Sequence, residues 1–204
     1  MKSLLLIGGG GHCHSCIDVV EATEIYQIRG VIQPKGSSNL VLDYPVIGYD
    51  DDLPQLLETS KTALITVGQI KTSATRVRLF RLLKQLGAEL PVIISPKAYC
   101  SKHSVIGDGS IIMHGATVNA GTQIGNNCIV NSQALVEHDV EIGDHCHIST
   151  GALVNGNVTI GKGSFVGSGT VIKEGIKVGE NVIIGAGQLV LQNLPDGTLV
   201  KHGE

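Results

Sequence analysis

From Cys100 to Val190 every sixth residue belongs to one narrow class, running Cys100, Ile106, Ile112, Val118 and onward without a slip to Ile184 and Val190; fifteen of these sixteen positions are Ile or Val. An amphipathic helix requires apolar residues at a spacing near 3.6, and a half-buried strand at a spacing of two. An unbroken period of six fits neither.

The other hexad positions are nearly as regular. The residue after the aliphatic is often Gly, as at Gly107, Gly125, Gly143, Gly161, Gly167, Gly179 and Gly185, which reads as the glycine that permits a turn between strands. The residue four after the aliphatic is mostly small, as at Ser104, Ala116, Cys128 and Ala152. A unit this short cannot bury its own apolar face, so copies must stack. β-Branched residues suit short strands. Three hexads close one triangular coil of 18 residues, and five coils span Cys100 to Val190 with the aliphatics pointing inward. Composition agrees: the chain is 42% hydrophobic, with 27 Gly, no Trp and 3% aromatic residues, a profile of a Gly-punctuated solenoid.

Residues 1–96 read differently. Leu4–Ile7 is a short buried strand, followed by Gly8-Gly9-Gly10-Gly11 and a helical pattern to about Ile25. Gly30–Ile32, Pro45–Gly48, Ala63–Val67 and Pro91–Ile94 read as further strands, and Asp50–Glu58 and Ser73–Leu86 as helices. This alternation predicts a small parallel sheet with helices on its faces, a Rossmann-like α/β domain over 1–96, with the solenoid over 97–204 and a boundary near Ser95-Pro96. The net charge of −3 gives no electrostatic reason to expect nucleic acid. No apolar run reaches the ~20 residues that span a bilayer, and the first residues lack the features of a signal peptide. The five Cys form no paired CxxC set, so they read as reduced thiols and the chain as cytoplasmic.

The glycine run leaves a strand and opens a helix, the arrangement in which backbone N–H groups and a helix N-terminus hold phosphate. The dinucleotide fingerprint is incomplete: Gly8 and Gly10 are present, but Cys13 takes the third glycine position. The second strand runs into Gln33-Pro34, with no acidic residue for a ribose hydroxyl. A nicotinamide-dependent dehydrogenase is therefore disfavoured, and the diphosphate of a nucleotide-sugar is the better fit.

Of the histidines in the coils, His114, His138, His145 and His147 stand out among small and aliphatic residues. His138 lies in Val136-Glu137-His138-Asp139, near a corner and pointing outward, with an acidic neighbour to orient it. One coil away it meets Gly156 above and Ala120 below, which leaves space for a substrate. His147 is half a coil further on, which puts the two far apart on one prism; three prisms packed about a three-fold axis would bring such residues together. His114 and His145 read as surface residues. No set of convergent ligands for zinc is evident, so no metal is expected.

The N-terminal strand with its GGGGH loop, the Rossmann-like fragment, and hexapeptide coils carrying Glu137-His138-Asp139 and His147 together resemble the PglD/NeuD-type sugar acetyltransferases of bacteria. The resemblance implies a left-handed parallel β-helix, the reverse of the usual crossover hand. It also implies a homotrimer with acetyl-CoA as co-substrate in the groove between neighbouring β-helices. The implied reaction is acetylation of the 4-amino group of a UDP-linked 2-acetamido-4-amino-trideoxy sugar in bacterial glycan or O-antigen biosynthesis. By resemblance His138 is the general base and Asp139 tunes it. His147 donates to the thioester carbonyl, and Asn131 is a further polar residue of the site. Gly10, Gly11 and His12 hold diphosphate and sugar. Gln33, Lys35 and Gly68 lie where the base binds, although the family usually has an acidic residue at that strand end. Gly156, Gly167, Ser168, Gly185 and Ala186 belong to the acetyl-CoA track. The alternatives are O-acetylation of sialic acid on the same fold, and a non-catalytic solenoid that binds nucleotide-sugars.

Overall fold

The computed structural model describes residues 1–36 and 38–201, so His202 lies outside the described residues. Its N-terminal sheet is built around β1 (Lys2–Ile7), which pairs in parallel with β2 (Tyr26–Ile32) on one side and, at the far edge, with the strand Ala63–Ile65 on the other. Beyond β2 the sheet ends in a hairpin of β3 (Leu40–Val41) and β4 (Tyr44–Gly48), turned at Leu42, whose φ is 49°. The strand Ala63–Ile65 is β5 in chain order. Helix α1 (Gly11–Thr23) covers one face; α2 (Leu53–Thr59) and α3 (Ala74–Gln85) cover the other.

The alternation of a strand decides which residue meets which helix. Leu4 and Leu6 face Cys16, Ile17 and Val20, whereas Leu5 and Ile7 face Leu53, Leu79 and Leu83. Several boundaries differ from the sequence reading. β2 starts four residues before Gly30, and β3 went unread in the sequence. Asp50–Asp52 forms a 3₁₀ turn rather than the first turn of the helix, closed by the Tyr49 N–H donating to Asp52 Oδ2 at 2.8 Å.

The solenoid consists of two-residue strands in three parallel sheets of six, five and seven strands among the described residues. Its register is 18 residues: Val118 pairs with Val136, Val136 with Val154, Val154 with Ile172 and Ile172 with Val190. The second residue of each strand points inward, and Ile112, Val130, Ile148, Val166 and Ile184 are 0% exposed. Burying one such side chain is worth about 1.5–3 kcal/mol, so the column of aliphatics sustains the prism. The first rung is Ile93–Ile94, paired with Ile111–Ile112. That strand, which the sequence reading gives to the N-terminal domain, belongs to the solenoid. Ile94 is six residues before Cys100 and already keeps the hexad register.

The glycines after the aliphatics do not serve the turn. Left-handed backbone recurs at the third residue after each aliphatic from Ile106 to Ile184, including Asn127, Asp139 (φ 56°), His145 and Asn157. Gly143 lacks a positive φ, but a Cβ there would stand 2.7 Å from the Lys162 nitrogen of the next coil. Glycine at that position lets successive coils stack, a steric demand rather than a conformational one.

The N-terminal domain docks on one solenoid face. Outward-pointing Ile93, Ile111, Met113 and Ile129 share a buried cluster with Leu4, Cys13 and Ile17 of the sheet and α1. Further along the same face, the outward column continues with His147 and Phe165.

Candidate active site

Where the docked domain overhangs His147 and Phe165, a cleft of about 1160 Å³ opens between the two parts of the chain. One wall is the glycine loop. Gly8 has a φ of 111°, which only glycine adopts readily, and a Cβ there would collide with Val67. The loop delivers the chain into α1, whose N-cap Gly10 offers no side-chain partner, so the first N–H groups are available to a ligand or solvent. The opposite wall is solenoid: Asn131, His147, Ser149, Phe165, Gly167, Ser168, Gly185 and Ala186. Val67, Gly68, Gln69 and Ile70, which follow β5, close the cleft between them.

Of the residues singled out from sequence, the cleft gathers Gly10, Gly11, His12, Gln33, Gly68, Asn131, His147, Gly167, Ser168, Gly185 and Ala186. Lys35, His138, Asp139 and Gly156 do not line it. Lys35 is exposed and rests over the Tyr49 ring at 5.5 Å. Gln33 is buried, and its Nε2 donates to the Ser38 carbonyl at 2.6 Å.

His147 is held by the N-terminal domain. The Gln69 carbonyl lies 2.6 Å from Nδ1, and a carbonyl only accepts, so Nδ1 carries the proton. Gln69 is itself anchored, its Nε2 donating to the carbonyls of His145 and Gly163. Burial pulls the His147 pKa down to about 4, with the charge of Arg76 adding to the shift and the Gln69 bond opposing it. The neutral ring therefore presents Nε2 as an acceptor, and Asn131 Nδ2 stands 3.1 Å from it. This tautomer does not fit the role of donor to a thioester carbonyl that the resemblance implies. His12 lies 6.2 Å from His147 between ring centres, and burial lowers its pKa to about 3, with Arg76 and His147 contributing. Its Nε2 is buried without a partner among the described residues.

His138 occupies another corner, after the strand Leu135–Val136. Its side chain is 58% exposed, and Nδ1 lies 2.9 Å from Asp139 Oδ2. A carboxylate accepts, so Nδ1 carries the proton and Nε2 offers a lone pair to a substrate, the geometry of an oriented general base. Asp139 adopts left-handed backbone, which Asp tolerates better than most residues. The ring leans across the next coil: a Cβ on Gly156 would lie 2.7 Å from Nε2. Gly156 therefore makes room for His138 and stands away from the cleft. Glu137, on the other side of His138, accepts from Asn119 Nδ2 at 2.9 Å.

His114 and His145 are not surface residues. His114 bridges the two parts of the chain, with Nδ1 2.6 Å from Ser95 Oγ and Nε2 2.8 Å from Asp18 Oδ2 of α1. His145 lies edge-on to Phe80 of α3 at 5.3 Å and bonds Asn127. Sequence reasoning also missed Gln69, Phe165 and Arg76. Phe165 carried a usable signal, since it is one of two Phe in the chain and falls 18 residues after His147, hence directly above it. Gln69 and Arg76 carried none, because their roles depend on how the domains dock.

A parallel solenoid of hexapeptide coils joined to a glycine-loop α/β domain, with an oriented histidine at a coil corner, defines a hexapeptide-repeat transferase. Residues 103–138, 121–156 and 157–187 match the family model for the bacterial transferase hexapeptide (six repeats), and residues 3–81 match that for the PglD N-terminal domain. Among solved structures, perosamine N-acetyltransferase from Caulobacter crescentus, in a mutant form in complex with CoA and GDP-perosamine, is 30% identical. The match covers 98% of this chain and 93% of that one, with a TM-score of 0.92. The acetyltransferase domain of PglB from Neisseria gonorrhoeae, in complex with acetyl coenzyme A, is 32% identical over 97% of this chain and 95% of that one, with a TM-score of 0.88. WeeI from Acinetobacter baumannii, at 24% identity and a TM-score of 0.87 over 100% of this chain and 98% of that one, shares the fold. A sequence comparison with curated proteins finds no match. The chain belongs to the PglD-type family of sugar N-acetyltransferases, whose solenoid is a left-handed β-helix. Among the described residues no helix is long and apolar enough to cross a membrane.

Proposed function

We propose that this protein transfers the acetyl group of acetyl-CoA to the amino group of a nucleotide-linked amino sugar. The observation that carries the reading is the pairing of two features: a cleft walled by the glycine loop and the uncapped start of α1, and an Asp-oriented histidine with open space at a coil corner. The cleft suits the nucleotide-sugar, and His138 Nε2 accepts the proton that the amine sheds as it attacks the thioester carbon. The tetrahedral oxyanion is met by a backbone N–H rather than by His147, whose Nε2 bears no proton. The thiolate of CoA then leaves and the amide forms.

The active species in this reading is a homotrimer. His138 lies at a corner that the cleft of its own chain does not include. The sheet that precedes it carries an outward ladder, Tyr99, Thr117, Leu135, Leu153, Val171 and Leu189, apolar but for Thr117, with Tyr99 60% and Leu189 65% exposed. A second and third copy would cover that ladder and bring a neighbouring cleft to the His138 corner. The base is left open between uracil and guanine. Gln33 replaces the acidic residue of the family, and the Caulobacter relative was solved with a guanine nucleotide.

The test is thiol release from acetyl-CoA with a panel of UDP-, dTDP- and GDP-linked amino sugars, together with sedimentation. Turnover with one of them and a trimer in solution are expected. Acetylation of a sugar hydroxyl only, or full activity from a monomer, would overturn the reading.

A further inference from the structure

A nucleoside diphosphate brings at least two negative charges, yet among the described residues no Lys or Arg lines the cleft. Lys35 turns away onto Tyr49, and both cleft histidines are held neutral by burial. The start of α1 contributes the equivalent of roughly half a positive charge, which leaves the ligand's charge incompletely balanced.

One peptide behind the cleft wall lies Arg76 of α3, 1% exposed. Its Nη1 donates to the carbonyls of Ile65 at 3.0 Å and Val67 at 2.7 Å. Its Nη2 donates to the carbonyl of Asn127 at 3.0 Å and to Asn127 Oδ1 at 2.6 Å. Every acceptor is neutral, Nε has no partner, and no carboxylate pairs with the guanidinium among the described residues. Of the two thiols that act on it, Cys16 is pushed up by burial and is no anion, and Cys128, although its pKa is lowered, keeps its proton to donate to the Gly143 carbonyl at 3.2 Å. Burial lowers the Arg76 pKa to about 10, which keeps it charged at neutral pH. Elsewhere in the chain cations pair with acids at the surface, as in Arg78–Asp50 and Lys84–Asp108. A buried guanidinium without a counter-ion is costly, and its field already reaches the cleft, because it acts on both His12 and His147.

We propose that Arg76 is the counter-charge for the ligand's diphosphate, acting through the Val67 wall rather than by contact. It is a positioning residue, not a catalytic one. The inference rests on the nucleotide-sugar reading of the cleft. CoA carries a diphosphate too, but Arg76 stands behind the wall that faces the glycine loop, which assigns its charge to the nucleotide.

Calorimetric titration of wild type, Arg76→Met and Arg76→Lys with UDP, dTDP, GDP, their nucleosides and CoA tests this. Arg76→Met is expected to weaken the preferred nucleoside diphosphate by about 10- to 100-fold. Its nucleoside and CoA should change by less than about threefold, the bounds a wall left in place allows. Arg76→Lys, which keeps the charge but not the fork, restores most of the loss. The difference should persist from about 0.05 to about 0.5 M NaCl, because a buried charge is poorly screened. Equal loss of nucleoside and nucleoside diphosphate, a loss confined to CoA, or no loss at all would each overturn the proposal. If Arg76→Met does not fold, Arg76→Lys decides: nucleoside diphosphate affinity within about threefold of wild type supports the counter-charge, and a loss matched by the nucleoside refutes it. Wild type that binds none of UDP, dTDP and GDP would instead sink the nucleotide-sugar reading itself.

Discussion

His138 and His147 lie nine residues apart, each beside its own polar partner, in opposite surroundings. The His138 side chain is 58% exposed and oriented by a carboxylate; His147 is 6% exposed and oriented by a backbone carbonyl. In both rings Nδ1 is the protonated nitrogen and Nε2 the acceptor, so the tautomer does not separate them. Solvent does. An exposed imidazole held by Asp139 stands open to a substrate. A buried one under Arg76 resists protonation and holds its place.

The sharpest way to test that contrast is to remove each ring. His138→Ala should lower kcat by about 10²–10⁴-fold, the usual contribution of a general base, with KM for acetyl-CoA and Tm nearly unchanged. A variant that keeps more than about half the wild-type kcat, with chemistry rate-limiting, would end the assignment of His138 as base. Gly10→Val follows in size. A Cβ at Gly10 meets nothing within 4 Å and its φ is −76°, so the fold should tolerate the change. The added bulk stands over the start of α1 and should weaken nucleotide-sugar binding by about tenfold or more, a cost of at least 1.4 kcal/mol, while CoA binding holds. Parallel loss of both ligands would point to misfolding.

The buried member of the pair predicts a pH effect on stability. His147 and His12 have folded pKa values of about 4 and about 3, below the ordinary value of about 6.5. As pH falls below 6.5 the unfolded chain takes up these protons first. Their contribution is therefore intact above about pH 6.5 and is lost as pH drops toward about 4 for His147 and about 3 for His12, by on the order of a few kcal/mol for each ring. His147→Asn should flatten that slope in denaturant titrations at a series of pH values. Identical slopes for wild type and His147→Asn would contradict the buried, neutral assignment. The smallest effect belongs to His114, which stands between the two extremes. Its link to Asp18, a side chain 72% exposed, makes Asp18→Asn worth less than about 1 kcal/mol. A larger drop in thermal stability would show that this bridge governs domain docking.

Residues 94–190 determined their own structure in a way visible without any fold in hand. The hexad repeats locally, each coil templates the next, and inward aliphatics and corner residues recur at fixed offsets, so period alone gives the 18-residue register and the outward aim of His138. Two features beside that period were misread. The glycines after the aliphatics answer to the coil above them, and Ile93–Ile94 answers to Ile111–Ile112, contacts that appear only once coils stack.

The cleft was settled by tertiary structure alone. The glycine loop was readable as a phosphate-binding turn, but its partners were not: Gln69 reaches His147 across 78 residues of chain, and Arg76 reaches Asn127 across 51. No periodicity links such positions. They meet because Ile111 and Ile129 turn an apolar face outward and the N-terminal sheet buries it. That docking excludes water from His147 and Arg76, and the loss of water makes one ring neutral and leaves one cation with no carboxylate beside it among the described residues.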